Sequence, residues 1–203
     1  MYQWMYEAIH PYVRGKIMEI GSGVGNITEL LLQKGHQLKI SDPDEKYWRQ
    51  LTEKYENHAN IMGISQLVPF DRHFDDNYAR YLGKCYTVIL LNTIQPSVED
   101  GLVLSNLKKL VSSNGHLILR LPVRMSLFGQ SGSEELDYWR HRNRQTIRKL
   151  LGVEFELKET WFFNLSRNGT AAIHSQLSNF TTNYENERSE NGLSAIAVAK
   201  KNK

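Results

Sequence analysis

The chain has 203 residues, about 40% apolar and 23% charged, with a formal net charge of +3. That suits one sizeable soluble domain over residues 1–203, and its mild, interspersed charge gives no ground for a nucleic-acid or anionic-membrane partner. A single cysteine, Cys85, excludes an internal disulfide and reads as a small buried residue, and no run reaches the roughly 20 apolar residues of a membrane span.

Met5, Ile9 and Val13 recur at helical spacing, so the opening segment, residues 1–14, reads as a helix over 2–13 disturbed by Pro11. The same segment lacks the basic-then-apolar form of a secretory signal, which makes the cytoplasm the expected location. "KIMEI" is a short strand and Gly21 to Gly25 form a loop. Asn26 is placed to cap the next helix, with Glu29 completing a capping box, and Gly35 to close it. "HQLKIS" is a second strand ending at Asp42. Pro43 opens a third helix with Trp48, Leu51 and Tyr55 on one face. "NIMGIS" is a third strand, while residues 67–84 show no clear period.

"CYTVILLN" is a continuous apolar run, as in a strand buried on both faces. A helix over 98–112 buries Val103, Leu107, Leu110 and Val111. "SSNG" reads as a turn, and "HLILRL" as a fifth strand stopped by Pro122. A helix at about 133–151, the strand "FELKETWFF", a long polar loop over 164–192 and a last strand, "LSAIAVA", complete the chain. Strands alternating with helices predict a parallel sheet covered on both faces. In such a sheet a ligand lies beyond the carboxyl ends of the strands. That rule nominates Gly21 to Gly25, Asp42, Ser65, Asn92 to Gln95, Arg120 to Arg124 and Asn164.

The loop in "KIMEIGSGVGNIT" places Glu19 two residues before Gly21-Ser22-Gly23-Val24-Gly25-Asn26. A dinucleotide loop carries its third glycine one position later, and a triphosphate loop needs Gly-Lys-Ser/Thr, which is absent. A carboxylate at Glu19 is a poor neighbour for a pyrophosphate and a good one for a cationic amine. Asp42, ending the next strand, suits the two hydroxyls of a ribose. A nucleoside with a positively charged tail fits both: S-adenosylmethionine.

At these residues the chain resembles the class I S-adenosylmethionine-dependent methyltransferases. "MEIGSGVGNIT" looks like that family's first motif, and Asp42 in "LKISDPD" like its second-strand acid. "YTVILLNTIQPSVED" and "LKKLVSSNGHLILRLPV" look like its fourth strand, helix and fifth strand. The tail from "MSLFG" through "YWRHRNRQTIRKLL" to "FELKETWFFNLSRNG" is similar to a bacterial small-molecule subgroup. The resemblance implies an α/β, Rossmann-like three-layer sandwich whose seven-stranded, mostly parallel sheet has order 3-2-1-4-5-7-6, strand 7 antiparallel. It implies that Gly21, Ser22, Gly23, Gly25 and Asn26 pass under the methionine part of the cofactor. Glu19 would then lie near its amino end, and Asp42 with Pro43 at the ribose. Ser65 would lie near the adenine and Asn92 near the methionine carboxylate or methyl group, with S-adenosylhomocysteine as product.

The chain departs from that pattern at Ser65, where relatives often carry Asp, and at Tyr86, Gln95 and Pro96 around the fourth strand. Those departures motivate a second expectation, a non-catalytic cofactor- or partner-binding module. On the acceptor side, Arg120 interrupts an apolar strand near its carboxyl end, and a buried guanidinium needs a partner. His141 lies in a basic helix with Arg140, Arg142, Arg144 and Arg148, which otherwise reads as a solvated face. These two are the candidate catalytic residues; no metal site is expected. "NTIQP" lacks the Asn/Asp-Pro-Pro-aromatic form of base-amine methyltransferases, which disfavours nucleic acid and favours a small-molecule acceptor, by O- or N- rather than C-methylation. The oligomeric state stays open.

Overall fold

A computed structural model describes residues 2–91, 100–123, 144–165, 171–174 and 193–202. Helix α1 (Tyr2–Ile9) runs into a 3-10 turn, His10–Tyr12. It is followed by β1 (Ile17–Ile20), α2 (Asn26–Gln33), β2 (Leu38–Ser41), α3 (Glu45–Tyr55) and β3 (Ile61–Ser65). Next come a short α4 (Phe74–Asn77) with a 3-10 turn, Ala79–Tyr81, then β4 (Cys85–Leu90), α5 (Asp100–Leu110) and β5 (Val111–Val123). The last elements are α6 (Arg144–Leu151), β6 (Phe155–Leu165), β7 (Ala171–His174) and β8 (Leu193–Lys201).

Alternate residues of the central strands point into two cores, and this makes the three layers. Met18, Ile20, Val88, Leu90, Leu117 and Leu119 face Phe74 of α4, Val103 and Leu107 of α5, and Ile147 and Leu151 of α6. Ile17, Ile89, Ile118 and Ile196 face Met5 and Ile9 of α1, Ile27 and Leu31 of α2, and Leu51 and Tyr55 of α3. Strands buried on both faces have no polar side to alternate with, which explains the continuous apolar runs.

The sheet order is β3-β2-β1-β4-β5-β8-β6-β7. Strands β3 to β5 pair in parallel, and β8 runs antiparallel between β5 and β6. With β8 as the seventh strand, this is the expected α/β architecture in the order 3-2-1-4-5-7-6. One edge strand is additional: Ala171–His174 pairs antiparallel with Phe162–Leu165, inside the stretch expected to be loop.

Several boundaries differ from the sequence reading. Helix α1 ends at Ile9 because Pro11 falls in the following 3-10 turn. The "SSNG" turn is absorbed into β5 as an irregularity: Cys85 pairs with Val111 but Thr87 already with His116, and Asn114 takes φ 60°. Pro122 does not stop β5. It pairs with Ser194 beyond the last β4–β5 pair, Leu90 with Leu119, where the β4 side of the strand asks for no donor. Asp44, not Pro43, begins α3, its side chain accepting from the Lys46 amide at 2.8 Å. The unclear stretch 67–84 contributes Leu67, Phe74 and Tyr81 to the core. The helix expected over 133–151 is described only from Arg144 onward.

His116 opens the regular part of β5, buried with the Tyr12 and Tyr86 rings at 5.5 and 5.7 Å. Burial first, then the charges of Arg14, Lys200 and Lys158, push its imidazole pKa down to about 4. The folded protein therefore holds His116 neutral. That contribution to stability is complete above the unfolded pKa near 6.5 and is lost as pH falls toward 4. Urea titrations of wild type and His116→Phe from pH 7 to pH 4.5 check this: the variant is expected to lose less stability on acidification.

Gly115 sits where the β5 irregularity presses on β4. A methyl there would lie 2.7 Å from the Tyr86 carbonyl oxygen and 2.9 Å from that of Ser112, whereas one at Gly101 meets nothing among the described residues. Gly115→Ala is expected to cost about 1–3 kcal/mol. Gly101→Ala, in helix α5, is expected to be neutral or to gain up to about 1 kcal/mol. Chemical denaturation of the pair reads both signs.

Candidate functional site

The parallel register brings the carboxyl ends of three strands side by side. Ile20 pairs with Ser41 and Ser41 with Ser65, so the chain beyond each strand emerges at one level. The Ser22 amide donates to the Ser41 carbonyl at 3.0 Å, folding the Gly21–Gly25 loop over the tip of β2. Asp42 fixes it there: Oδ2 accepts the Gly23 amide at 2.8 Å and Oδ1 the Asp44 amide at 3.0 Å. Asp42 is only 5% exposed, and burial raises its pKa against those two donors.

Glu19 follows from strand alternation. Its neighbours Met18 and Ile20 enter the α4–α6 core, so Glu19 turns toward α2. There the Thr28 hydroxyl donates to Glu19 Oε2 at 2.6 Å, while the Ser41 hydroxyl holds the Glu19 carbonyl at 3.2 Å. Burial pushes the carboxyl up to about 7; Thr28 and Ser22 pull the other way, and the nearby Asp42 adds to the rise. The Ser22 hydroxyl is buried with no partner at hydrogen-bonding geometry, yet lies close enough to favour the charged carboxylate.

Helix α2 starts differently from the expected capping box. Gly25, at φ 85°, is its N-cap with no side-chain cap bond, and Asn26 is its first, exposed residue. The left-handed Gly25 turns the loop into the helix, its carbonyl accepting the first helical bond from the Glu29 amide at 2.9 Å. At the other end Gly35 and His36 close α2 as expected, their amides reaching Leu32 and Leu31. The Pro43 carbonyl accepts from Gln66 Nε2 at 3.0 Å, and Ser65 is half-buried at the end of β3.

Arg120 is half-buried on β5 opposite Ile196; burial lowers its pKa while Tyr2 of α1 acts in the opposite sense. Arg148 is exposed, as a solvated face requires. Cys85 is buried with its thiol pushed up by burial and its Sγ 3.9 Å from Met18 Sδ. Asn92, Gln95, Pro96, Arg124, Tyr138, Trp139, Arg140, His141 and Arg142 lie outside the described residues. Glu19, Gly21–Gly25, Asp42, Pro43 and Ser65 thus converge, whereas Arg120 stands on the far side of β4. Sequence reasoning missed Thr28, Ser41 and Gln66, and took Tyr55 for core alone. A threonine amid the apolar positions of α2, nine residues after a buried acid, was the available signal for Thr28.

No protein-family model matches the chain. An uncharacterized methyltransferase from Staphylococcus carnosus is 31% identical over 74 residues, 36% of this chain and 35% of that protein, so the match spans about a third of its length. A structure of an S-adenosylmethionine-dependent methyltransferase from Methanosarcina mazei superposes with TM-score 0.60 at 14% identity, covering 97% of this chain and 98% of that one. Magnesium protoporphyrin IX methyltransferase from Synechocystis PCC 6803, solved with bound S-adenosylmethionine, superposes with TM-score 0.56 at 19% identity, covering 98% and 76%. Among the described residues no helix is long and apolar enough to cross a membrane. The chain has the fold of the class I S-adenosylmethionine-dependent methyltransferases.

Proposed function

We propose that the protein transfers a methyl group from S-adenosylmethionine to a small-molecule acceptor, onto oxygen or nitrogen. One observation carries the donor half: a buried carboxyl at Glu19, held by Thr28, and the acid Asp42, which pins the Gly23 amide, stand on either side of the glycine loop. An ammonium group beside Glu19 would favour its ionised form against the burial that opposes it. Each Asp42 oxygen holds one backbone donor and keeps a second lone pair, so the carboxylate can still accept from ribose hydroxyls. Gly21, Ser22, Gly23, Gly25 and Asn26 would hold the methionine part, Pro43 and Ser65 the nucleoside, and Asn92 the methionine carboxylate or methyl end. The buried, unbonded Ser22 hydroxyl fits a site that takes a polar ligand.

S-adenosylmethionine, when bound, supplies a methyl group already activated by a sulfonium sulfur. The chain's part is then alignment, which in favourable cases contributes roughly 7–11 kcal/mol. Arg120, at the carboxyl half of β5, is the candidate to orient an anionic group of the acceptor. His141 is the candidate to take the proton that a hydroxyl or ammonium acceptor must lose, an assistance typically of about 10²–10⁴-fold. The small-molecule reading draws support from the fold likeness to a porphyrin methyltransferase and from "NTIQP" at residues 92–96.

Calorimetry with S-adenosylmethionine and S-adenosylhomocysteine tests the donor half, and mass spectrometry of co-purified ligand the acceptor half. Binding of neither donor nor product at millimolar concentration rejects the reading. Asp42→Ala is expected to weaken binding roughly 10- to 100-fold, the worth of charge-assisted hydrogen bonds; unchanged affinity rejects the ribose assignment.

Glu19 makes a pH signature. Its folded pKa lies above the ordinary carboxylate value, so its contribution to the free protein's stability is complete below about 4.5 and is lost as pH rises through 7. A ligand ammonium favours the ionised form, so binding is expected to tighten as pH rises through that range and to release protons. Isothermal titration of S-adenosylhomocysteine at pH 6 and pH 8, in buffers of different ionisation enthalpy, reads both effects. Glu19→Gln is expected to abolish them.

A further inference from the structure

The glycine loop is tethered to the β2–α3 unit at more than the tip of β2. Helix α3 reaches it from the other side through Tyr55, which is 3% exposed. The Tyr55 hydroxyl donates to Glu29 Oε2 at 3.0 Å and lies 3.4 Å from the Gly25 carbonyl oxygen. Lys54 completes the group, its Nζ 3.3 Å from Glu29 Oε2 and 4.7 Å from the centre of the Tyr55 ring. Burial raises the Tyr55 pKa, keeping the hydroxyl a donor, while Tyr55 and Lys54 lower that of Glu29, keeping it an acceptor.

The closeness is unusual for a residue that merely fills a core. A Cβ added at Gly25 would lie 2.8 Å from the Tyr55 hydroxyl and 3.0 Å from Cε2. The third glycine of the loop is thus demanded twice, by its left-handed backbone and by the tyrosine pressed against it. Gly25 is also a cap without a side chain. Its carbonyl accepts the Glu29 amide, and the Glu29 side chain, in the first turn of α2, is what Tyr55 grips.

We propose that Tyr55 is a positioning residue for the methyl-donor loop, its hydroxyl locking Gly25 and, through Glu29, the first turn of α2. The inference rests on the methyl-donor reading of that loop. The ring anchors in the core with Leu51 and Leu31, and the hydroxyl transmits that rigidity to a turn whose neighbour Gly23 is held by Asp42. The two tethers approach the loop from the strand end and from the helix, so losing either leaves it free to move about the other.

Tyr55→Phe keeps the ring and removes only the lock. It is expected to leave the melting temperature nearly unchanged and to raise the dissociation constant for S-adenosylhomocysteine roughly three- to tenfold, the worth of one net hydrogen bond. Amide hydrogen exchange in the free protein is the second readout: Gly23 and Gly25 should exchange faster in Tyr55→Phe, with the β4 amides unchanged. Glu29→Gln, still an acceptor, should behave as wild type. Glu29→Ala should match Tyr55→Phe, and the double variant should lose no more than either. Glu29→Ala alone carries the test if Tyr55→Phe does not fold. Wild-type affinity and wild-type Gly25 exchange in Tyr55→Phe overturn the proposal. If the wild-type chain binds neither donor nor product, the methyl-donor reading fails, and the exchange readout still decides whether Tyr55 holds the loop.

Discussion

The site depends on one hydrogen bond, from the Gly23 amide to Asp42 Oδ2 at 2.8 Å. A glycine-rich turn has little to hold its own shape, because its residues carry no side chains to pack. Asp42 supplies that shape from outside. It is delivered to the right place by the parallel register in which Ile20 pairs with Ser41, so that the residue after β2 stands beside the loop after β1. The register is in turn set by which residues of β1 and β2 are buried, and a slip by one would turn Glu19 into the α4–α6 core and Met18 out of it. Strand patterning, loop shape and the placement of two acids are therefore one constraint.

Two buried titratable groups put opposite demands on the same molecule. Glu19 makes the free protein lose stability as pH rises toward 7, and His116 makes it lose stability as pH falls toward 4. Their windows overlap between about 4.5 and 6.5, where the two slopes have opposite sign. They also sit on different strands and levels: Glu19 on β1 is level with Ile89 and Ile118, next to the carboxyl-end loops, and His116 lies two strands away and two residues nearer the amino end. Only the first lies where a ligand is expected. A bound cation would relieve Glu19 and leave His116 untouched, so occupancy of the site would shift the balance toward stability at neutral pH.

The first half of the fold was legible because its chemistry is local. Glycine, an acid before the loop and an acid after the next strand are one-dimensional signals, and continuous apolar runs such as "CYTVILLN" mark strands buried on both faces. What failed to show was settled by tertiary pairing. The edge strand Ala171–His174 exists because Phe162–Leu165 offers it a partner, and four residues carry too little pattern to announce that. Pro122 reads as a stop, yet β4 has already ended beside it. Asn26 reads as a cap, yet Gly25 reaches the left-handed conformation first. In the site, Thr28 and Tyr55 were harder to read for one reason: a polar atom at the end of a side chain whose body lies in the core has no periodic signature, and only the break that Thr28 makes in the apolar face of α2 hints at a role.

The donor and acceptor halves of the proposed reaction are encoded in different ways. Every donor residue with a described side chain belongs to the β1–β3 half, where strand ends, loop and helix starts are cross-linked by backbone bonds. Backbone donors and acceptors do not depend on residue identity, so that half keeps its geometry with a changed residue at Ser65. The acceptor half, as proposed, hangs on individual side chains, Arg120 among them, which stands on a strand paired with the antiparallel end of the sheet. A side chain there can be exchanged to suit a new acceptor while the pinned loop keeps the donor in place. Gln95 and Pro96, outside the described residues, follow the fourth strand where the sequence departs from the pattern it resembles. They take no part in the bonds that shape the loop, so their departure bears on the proposed transfer step before it bears on the proposed donor site.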